Sequence, residues 1–207
     1  MFLNNYNEQY YNLLNIKIGW EKRSCSQNLY QRGDGFQIIF KLLEEQHKEK
    51  YSIVETGTLR NVGNWRDGQS SILFQEFLKT SSGSLQSVDI NPEACAVSSN
   101  YLDPNYCTVT CSDSHKFLKT IDASTVDLFF LDSYDVRWEN CDPSAAHHLE
   151  EFKIIEQQLK PGTIIAIDDN TFYKGVRSGK GRDIYEYLKS KNILPIYDEY
   201  IIIYQWN

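Results

Sequence analysis

Hydrophobic and polar positions change period near residue 50 of this chain. Before that point, apolar residues recur at helical spacing, which predicts a short helix around 6–14 and a second around 36–43. The polar segment 19–35 between them predicts a loop, and loops of this length inside a domain often act on a ligand, here as a lid. The alternative is a segment that only caps the core.

Beyond residue 50, short apolar runs alternate with amphipathic stretches, which predicts strands and helices in turn. The predicted strands lie around 53–55, 84–91, 106–113, 126–132 and 163–170, and the predicted helices around 71–80, 92–102, 115–120, 144–159 and 182–191. Two final apolar runs are so close in sequence that they predict an antiparallel hairpin. The pattern therefore predicts an α/β fold, with a mostly parallel seven-stranded sheet, helices on both faces and a C-terminal antiparallel hairpin.

Each of the five predicted strands ends in an acidic residue. The carboxyl ends of parallel strands meet at one edge of a sheet, where such folds bind their ligands. The acids that would share this edge are Glu55, Asp89, Asp113, Asp132 and the pair Asp168 and Asp169. One acid in this position is most often a helix N-cap, and some of the five can be caps. Together they predict a binding site.

The first predicted strand continues into a glycine-containing turn and a helix start. Gly57 lets a ligand approach the backbone, and the exposed N–H groups of the helix start favour an anionic group. An acid at the end of the next strand accepts hydrogen bonds from ribose hydroxyls, and Asp89 lies 32 residues beyond Gly57. The turn is not GxGxxG, and the segment 178–182 lacks the spacing of a phosphate-binding P-loop, which disfavours NAD and nucleotide triphosphates.

Composition limits the class of protein. The 207 residues are enough for one sizeable domain, which we divide into an N-terminal helical cap or lid extension, 1–50, and a main domain, 51–207. The formal net charge of −7 disfavours a nucleic-acid partner. There is no membrane-length apolar run and no basic n-region, and the five cysteines are odd in number, so we expect a cytoplasmic protein with reduced thiols.

Five motifs, in order and spacing, resemble those of class I S-adenosylmethionine-dependent methyltransferases, which have a Rossmann-like sheet. They are ETGT at 55–58, SVDIN at 87–91, CSDSHKFL at 111–118, VDLFFLDSYD at 126–135 and LKPGTIIAIDDN at 159–170. The resemblance implies S-adenosylmethionine as the cofactor and assigns to it Glu55, Gly57, Thr58, Ser70, Asp89, Ser112, Asp113 and Asp132. Of these, Glu55 and Gly57 would hold the methionine end, Asp89 the ribose, and Asp113 with Ser112 the adenine.

The late acids are similar to the magnesium-binding set of the catechol-type and sugar O-methyltransferases. The resemblance implies a metal site of Asp132, Asp168, Asp169 and Asn170. Oxygen ligands at neighbouring strand ends suit Mg²⁺, which would orient the acceptor and lower the pKa of its hydroxyl. The alternative is a polar turn whose acids cap a helix.

The sequence does not single out one residue as the general base. Asp135 stands where catechol-type enzymes carry a lysine, and His147 and His148 are the other candidates. The loop 59–69, with Arg60, Trp65 and Arg66, is long enough to cover the cofactor or touch the acceptor.

The resemblance implies metal-assisted O-methylation of a small hydroxylated substrate such as a sugar, by an enzyme that works alone or as a homodimer. The alternatives are a catalytically silent nucleoside-binding module of the same fold and a nucleotide-sugar or NAD enzyme.

Overall fold

A computed structural model describes residues 2–14, 32–67 and 69–207 of the chain. The strands are β1 (Tyr51–Thr56), β2 (Gly83–Asp89), β3 (Cys107–Cys111), β4 (Leu128–Leu131), β5 (Ile164–Ile167), β6 (Asn170–Tyr173), β7 (Val176–Gly179), β8 (Tyr197–Asp198) and β9 (Ile202–Gln205). The helices are α1 (Phe2–Gln9), α2 (Tyr11–Leu14), α3 (Arg32–Glu45), α4 (Ser70–Ser81), α5 (Pro92–Tyr101), α6 (Ser114–Leu118), α7 (Asp142–Ile155) and α8 (Arg182–Ser190).

Among the described residues, seven strands form one sheet in the order β3-β2-β1-β4-β5-β9-β8. The first five strands of the chain pair in parallel, while β9 runs antiparallel to both β5 and β8. The prediction of a mostly parallel sheet that ends in an antiparallel hairpin is confirmed. This order brings the ends of β2, β1, β4 and β5 side by side.

Helical layers cover both faces of the sheet. In β4 every residue is buried, and its neighbouring phenylalanines point to opposite faces: Phe130 packs with α3 and α4, and Phe129 packs with α7 and α8. A continuous apolar run is what a strand covered on both sides requires, because alternate side chains face opposite layers.

The N-terminal helices join the same core as the sheet. Phe2 and Tyr6 of α1 pack on Phe40 of α3, with ring centroids 4.7 and 5.3 Å away. The prediction that the loop includes Gly33 and Gly35 is wrong, because both lie inside α3. Gly35 is needed there since a Cβ would lie 2.8 Å from the side chain of Ile201. The rest of the predicted lid, 19–31, lies outside the described residues.

A short hairpin of β6 and β7 follows β5 and was not predicted. Its turn contains Lys174 and Gly175, both with positive φ, and its second strand leads directly into Lys180 and α8. The hairpin therefore returns the chain to the sheet edge where β5 ends.

None of the helices in the described ranges is long and apolar enough to cross a lipid bilayer. The four cysteines in those ranges, Cys95, Cys107, Cys111 and Cys141, are free thiols, and Cys25 lies outside the described residues.

Candidate functional site

A pocket open to solvent lies at the carboxyl ends of β1, β2 and β4. Its lining residues come from the turn after β1, the start of α4 and the ends of β2 and β4, the two strands that flank β1. They are Gly57, Thr58, Leu59, Arg60, Asp67, Gln69, Ser70, Asp89, Asp132 and Ser133. The predicted cofactor residues Gly57, Thr58, Ser70, Asp89 and Asp132 therefore share one cavity.

Gly57 sets the path of the turn that forms the pocket floor. Its φ of +85° is a left-handed conformation, and a Cβ at this position would lie 2.6 Å from the carbonyl oxygen of Asp132. Its N–H donates to the carbonyl of Val88, 2.8 Å away. The glycine thus lets the end of β1 pass close to the end of β4.

We expect Gly57→Ala to lower the free energy of unfolding by more than about 2 kcal/mol, because strain from the positive φ adds to a clash with backbone. Urea unfolding measures the change. Gly175→Ala is the matched control, since Gly175 has a φ of +79° and open space where a Cβ would stand. Equal destabilisation of the two variants would contradict the role given to the contact with Asp132.

Asp89 is held in place at the end of β2 and faces the pocket. Its Oδ1 accepts from the N–H of Asn91 at 2.8 Å and its Oδ2 from the N–H of Thr58 at 3.3 Å. The hydroxyl of Thr58 lies 2.7 Å from that of Ser98 and 2.8 Å from that of Ser87. Backbone donors therefore orient the Asp89 carboxylate before any ligand binds.

Glu55 does not lie at the rim, which corrects the sequence-based expectation. It is 1% exposed, and its carboxylate accepts from the hydroxyls of Ser70 at 2.5 Å, Ser71 at 2.6 Å and Ser87 at 2.8 Å. Burial raises the pKa of Glu55 to about 7, although the three hydroxyls oppose the shift. Ser70 lines the pocket and so stands between Glu55 and a ligand.

Arg60 closes one side of the pocket with ion pairs. It donates to both oxygens of Asp135, at 3.0 and 3.1 Å, and to Asp67 at 2.6 Å. Trp65 does not cover the cofactor pocket; its ring packs on Tyr10, with centroids 5.5 Å apart. The side chain of Arg66 lies outside the described residues.

Ser112 and Asp113 lie beyond the end of β3 and do not line the pocket. Asp113 is the N-cap of α6, and its carboxylate accepts from the N–H of Lys116 at 3.0 Å. Their predicted contact with adenine stays a prediction, since the bound group would have to extend past Asp89 to reach them.

The predicted metal ligands Asp132, Asp168 and Asp169 lie close together at the ends of β4 and β5. Two basic side chains, Lys180 and Arg32, form ion pairs with them there. The Lys180 ammonium contacts Asp132 and lies 2.9 Å from Asp169 Oδ2. The Arg32 guanidinium lies 3.0 Å from Asp168 Oδ2 and 3.1 Å from Asp169 Oδ1. We call these five residues the rim ion cluster.

The charges of the rim ion cluster act on one another strongly. Burial raises the pKa of Asp168 to about 7, although Arg32 opposes the shift. Burial acts in the same direction on Asp169, but Lys180 and Arg32 outweigh it and hold the pKa of Asp169 well below its usual range. Against the effect of burial, Asp132 and Asp169 raise the pKa of Lys180, so the ammonium stays charged.

The residues as arranged do not fit a magnesium ion. The amide of Asn170 is used by backbone: its Oδ1 accepts from Gly181 N at 2.7 Å, and its Nδ2 donates to the carbonyls of Ile167 and Asp168. Among the residues described, no group of three or more His, Cys, Asp or Glu side chains has the geometry to hold a metal ion. The predicted metal set stays a prediction that this geometry does not support.

His147 belongs to a polar network that reaches the pocket through Ser133. Its Nε2 lies 3.1 Å from the hydroxyl of Ser114 and 3.3 Å from Glu151 Oε1, and its ring stacks on His115. Glu151 also accepts from Ser133 at 2.7 Å. Despite burial, these hydrogen bonds lower the pKa of Glu151 to about 2.

His148, the second histidine considered as a base, is fully buried. Its Nδ1 lies 2.7 Å from the carbonyl of Ser144, and burial lowers its pKa to about 4. It is therefore a neutral packing residue at neutral pH and has no access to a substrate.

Three residues of this region were missed from the sequence: Arg32, Glu151 and Lys180. Lys180 stands between two glycines in SGKGR, a segment that lacks the spacing of a P-loop and matches no other motif of the family. The feature of the sequence that could have indicated it is a single lysine between two glycines, shortly after the acidic end of a predicted strand.

Comparison with known families agrees with this geometry. Residues 54–170 match the sequence model of a family described as a methyltransferase domain. The chain belongs to this methyltransferase family. With the observed sheet order, it is a class I S-adenosylmethionine-dependent methyltransferase.

Solved structures share the fold of this methyltransferase at low identity. MycE from the mycinamycin pathway, in complex with Mg, SAH and mycinamycin VI, has a TM-score of 0.60 and 13% identity over 97% of this chain and 53% of its own. CalS11, a TDP-rhamnose 3'-O-methyltransferase of calicheamicin biosynthesis, has a TM-score of 0.58 and 13% identity over 99% of this chain and 93% of its own.

LepI in complex with SAM has a TM-score of 0.51 and 14% identity, over 80% of this chain and 46% of its own. The methyltransferase thus spans about half the length of the MycE and LepI chains and almost the whole of CalS11. No curated protein sequence matches it.

Proposed function

We propose that this methyltransferase transfers a methyl group from S-adenosylmethionine to a hydroxyl of a small acceptor such as a sugar. The observation that carries the proposal is the pocket in which Gly57 and Asp89 face the same cavity, with Asp132 at its edge. The name of CalS11, a sugar O-methyltransferase that the chain matches over nearly its full length, supports a hydroxyl acceptor.

The residues of the pocket divide the binding of the cofactor between them. Asp89 accepts hydrogen bonds from the ribose hydroxyls, Gly57 leaves room for the backbone of the turn to approach, and Ser70 faces the methionine end. The cofactor supplies an electrophilic methyl group. The chain contributes mainly by holding the acceptor oxygen in line with that group.

Asp135 is the base that we favour for the acceptor hydroxyl. It lies on the loop after β4 and does not line the pocket itself, but it accepts hydrogen bonds from Arg60, which does. A carboxylate there can take the hydroxyl proton once a substrate displaces the Arg60 contact. His147 is the second choice, because its Nε2 is engaged by Ser114 and Glu151.

One observation favours the alternative of a catalytically silent binding module. Both predicted bases have partners in the protein: both oxygens of Asp135 accept from Arg60, and His147 faces Glu151. A module of this kind would bind the cofactor and leave every acceptor unchanged.

Calorimetry with S-adenosylhomocysteine and a panel of nucleotide sugars separates the two. We expect micromolar binding of S-adenosylhomocysteine and a mass gain of one methyl group on at least one sugar when S-adenosylmethionine is present. Absence of binding at millimolar ligand would contradict both functions, and binding without any methylated product would favour the silent module.

Asp135→Asn tests the proposed base. We expect kcat to fall at least about 100-fold while the affinity for S-adenosylhomocysteine stays within about threefold. Asp142→Asn is the matched control, because Asp142 is 76% exposed and pairs with Arg182, much as Asp135 is 75% exposed and pairs with Arg60. Equal rates for the two variants would move the role of base to another residue.

A further inference from the structure

We propose that Lys180, with Arg32, supplies the positive charge that the rim carboxylates Asp132, Asp168 and Asp169 require, so that this site takes no divalent cation. The inference rests on the proposed function, because it concerns the same pocket edge. It deepens that function: Lys180 becomes a positioning residue, and methyl transfer requires no magnesium.

The first support is where the ammonium lies. Lys180 Nζ contacts Asp132 and Asp169 together and lies 3.4 Å from the carbonyl oxygen of Asp132. These groups stand at the ends of two neighbouring strands, so the ammonium bridges the gap that a cation shared by the two carboxylates would fill. With 2% of its side chain exposed, Lys180 is not a surface residue that has folded back by chance.

The second support is the balance of charge. Arg32 binds Asp168 and Asp169, and the hydroxyl of Tyr200 donates to Asp169. With all three carboxylates ionised, two protein cations leave a formal charge of −1, the same as one divalent ion with those carboxylates. A divalent ion added beside Lys180 and Arg32 would create a buried excess of positive charge, which burial makes costly.

The third support is that the backbone is shaped to bring Lys180 to this place. Gly179, just before it, has a φ of +131°, and a Cβ there would lie 2.2 Å from the carbonyl oxygen of Asp169. Gly181, just after it, would meet the Asn170 side-chain oxygen at 2.8 Å. Any larger residue on either side would push the hairpin away from the end of β5, and Lys180 with it.

The contact with Lys180 also has a consequence for the pocket. Asp132 lines the pocket and follows Leu131 at the end of β4. Because the ammonium binds Asp132 Oδ1, it fixes the orientation of the whole carboxylate at the pocket edge. Lys180 thereby does from within the chain what a bound cation would otherwise do for Asp132.

Binding of Mn²⁺, followed by the loss of its free-ion electron paramagnetic resonance signal, tests the inference without any activity assay. We expect the folded wild type to bind no Mn²⁺ at millimolar concentration. Lys180→Gln removes the ammonium and keeps a polar side chain, so it should gain one Mn²⁺ site per chain. Adding Asp169→Asn to Lys180→Gln should remove that site again.

Two further variants serve as controls. Lys180→Arg keeps the charge and should bind no Mn²⁺. Lys48→Gln removes a lysine from another buried carboxylate, Asp127, which Lys160 also contacts at 3.3 Å, and it should bind none either.

A wild type that binds one Mn²⁺, lost on Asp132→Asn, would overturn the inference, and so would a folded Lys180→Gln that gains no site. If circular dichroism shows that Lys180→Gln does not fold, the wild-type measurement decides alone. Titration of the wild type with S-adenosylhomocysteine keeps the two ideas apart: lack of binding there is a failure of the proposed function, whatever Mn²⁺ does.

Discussion

An Asp89→Asn variant is expected to bind S-adenosylhomocysteine about 100-fold more weakly than the wild type. Two ribose hydroxyls donate to the Asp89 carboxylate in the proposed complex, and hydrogen bonds to a charged acceptor contribute about 1.5–3 kcal/mol each. Asparagine keeps the size of the side chain but presents one acceptor oxygen and a donor. The loss of about 3 kcal/mol corresponds to the expected change in affinity.

Isothermal calorimetry measures this change, and thermal unfolding shows whether the variant is folded. Glu93→Gln is the matched control, because Glu93 is an exposed acid in the first turn of α5 and has no place in the pocket. We expect its affinity to equal that of the wild type. An Asp89→Asn affinity within about threefold of the control would show that the carboxylate does not hold the ribose.

The edge of the sheet was predictable because it follows from local pattern. Each buried strand must be apolar on both faces, so the first charged residue marks where the strand leaves the core. Asp89 and Asp132 could be placed at the pocket in this way. The same rule placed Asp113 at the edge, but its carboxylate is used by the N-terminus of α6, which strand pattern does not distinguish from a ligand site.

The rim ion cluster was not predictable from local pattern. It joins Arg32 to Asp168, 136 positions apart in sequence, and Lys180 to Asp132, 48 positions apart. The sequence does not show whether a lysine or arginine side chain extends into water or into a cluster of carboxylates. Only the β6–β7 hairpin brings Lys180 to the acids, and that hairpin has too few apolar positions to show strand periodicity.

Glu55 is a third kind of case, because it lies near the carboxyl end of β1, as the sequence predicts, but is buried and not at the rim. The next residue, Thr56, ends β1, and Ser70, Ser71 and Ser87 surround the Glu55 carboxylate. Serines are so common in turns and at helix starts that their positions in the sequence do not predict hydrogen bonds to a buried glutamate. The consequence is a buried acid whose charge depends on pH near neutrality.

Raising the pH from 4.5 to above 7 is expected to lower the free energy of unfolding by about 3 kcal/mol through Glu55 alone. Below 4.5, the ordinary pKa of glutamate, the residue is protonated in both states and its full contribution to stability is present. As the pH rises, the unfolded chain releases the proton first and is favoured. The contribution is lost once the pH passes the folded pKa of about 7.

Urea unfolding of the wild type and of Glu55→Gln across this range tests the expectation. Glutamine resembles the protonated acid, and the serine hydroxyls can rotate to suit it, so the variant should lack this pH dependence. Asp168 titrates in the same range, and the difference between the two proteins removes its effect. A difference that stays constant from pH 4.5 to 8 would mean that Glu55 is ionised throughout in the folded protein.

Binding of the cofactor should also release the proton that Glu55 carries at low pH. In the proposed complex the cationic end of S-adenosylmethionine lies near Ser70, which donates to Glu55, and a nearby positive charge favours the ionised carboxylate. At pH 6 binding should therefore release close to one proton, measured by calorimetry in two buffers of different ionisation enthalpy. The Glu55→Gln variant should release no proton on binding. The affinity of the wild type for S-adenosylmethionine should rise with pH until about 7. If wild type and variant release the same number of protons, Glu55 serves the fold and not the cofactor.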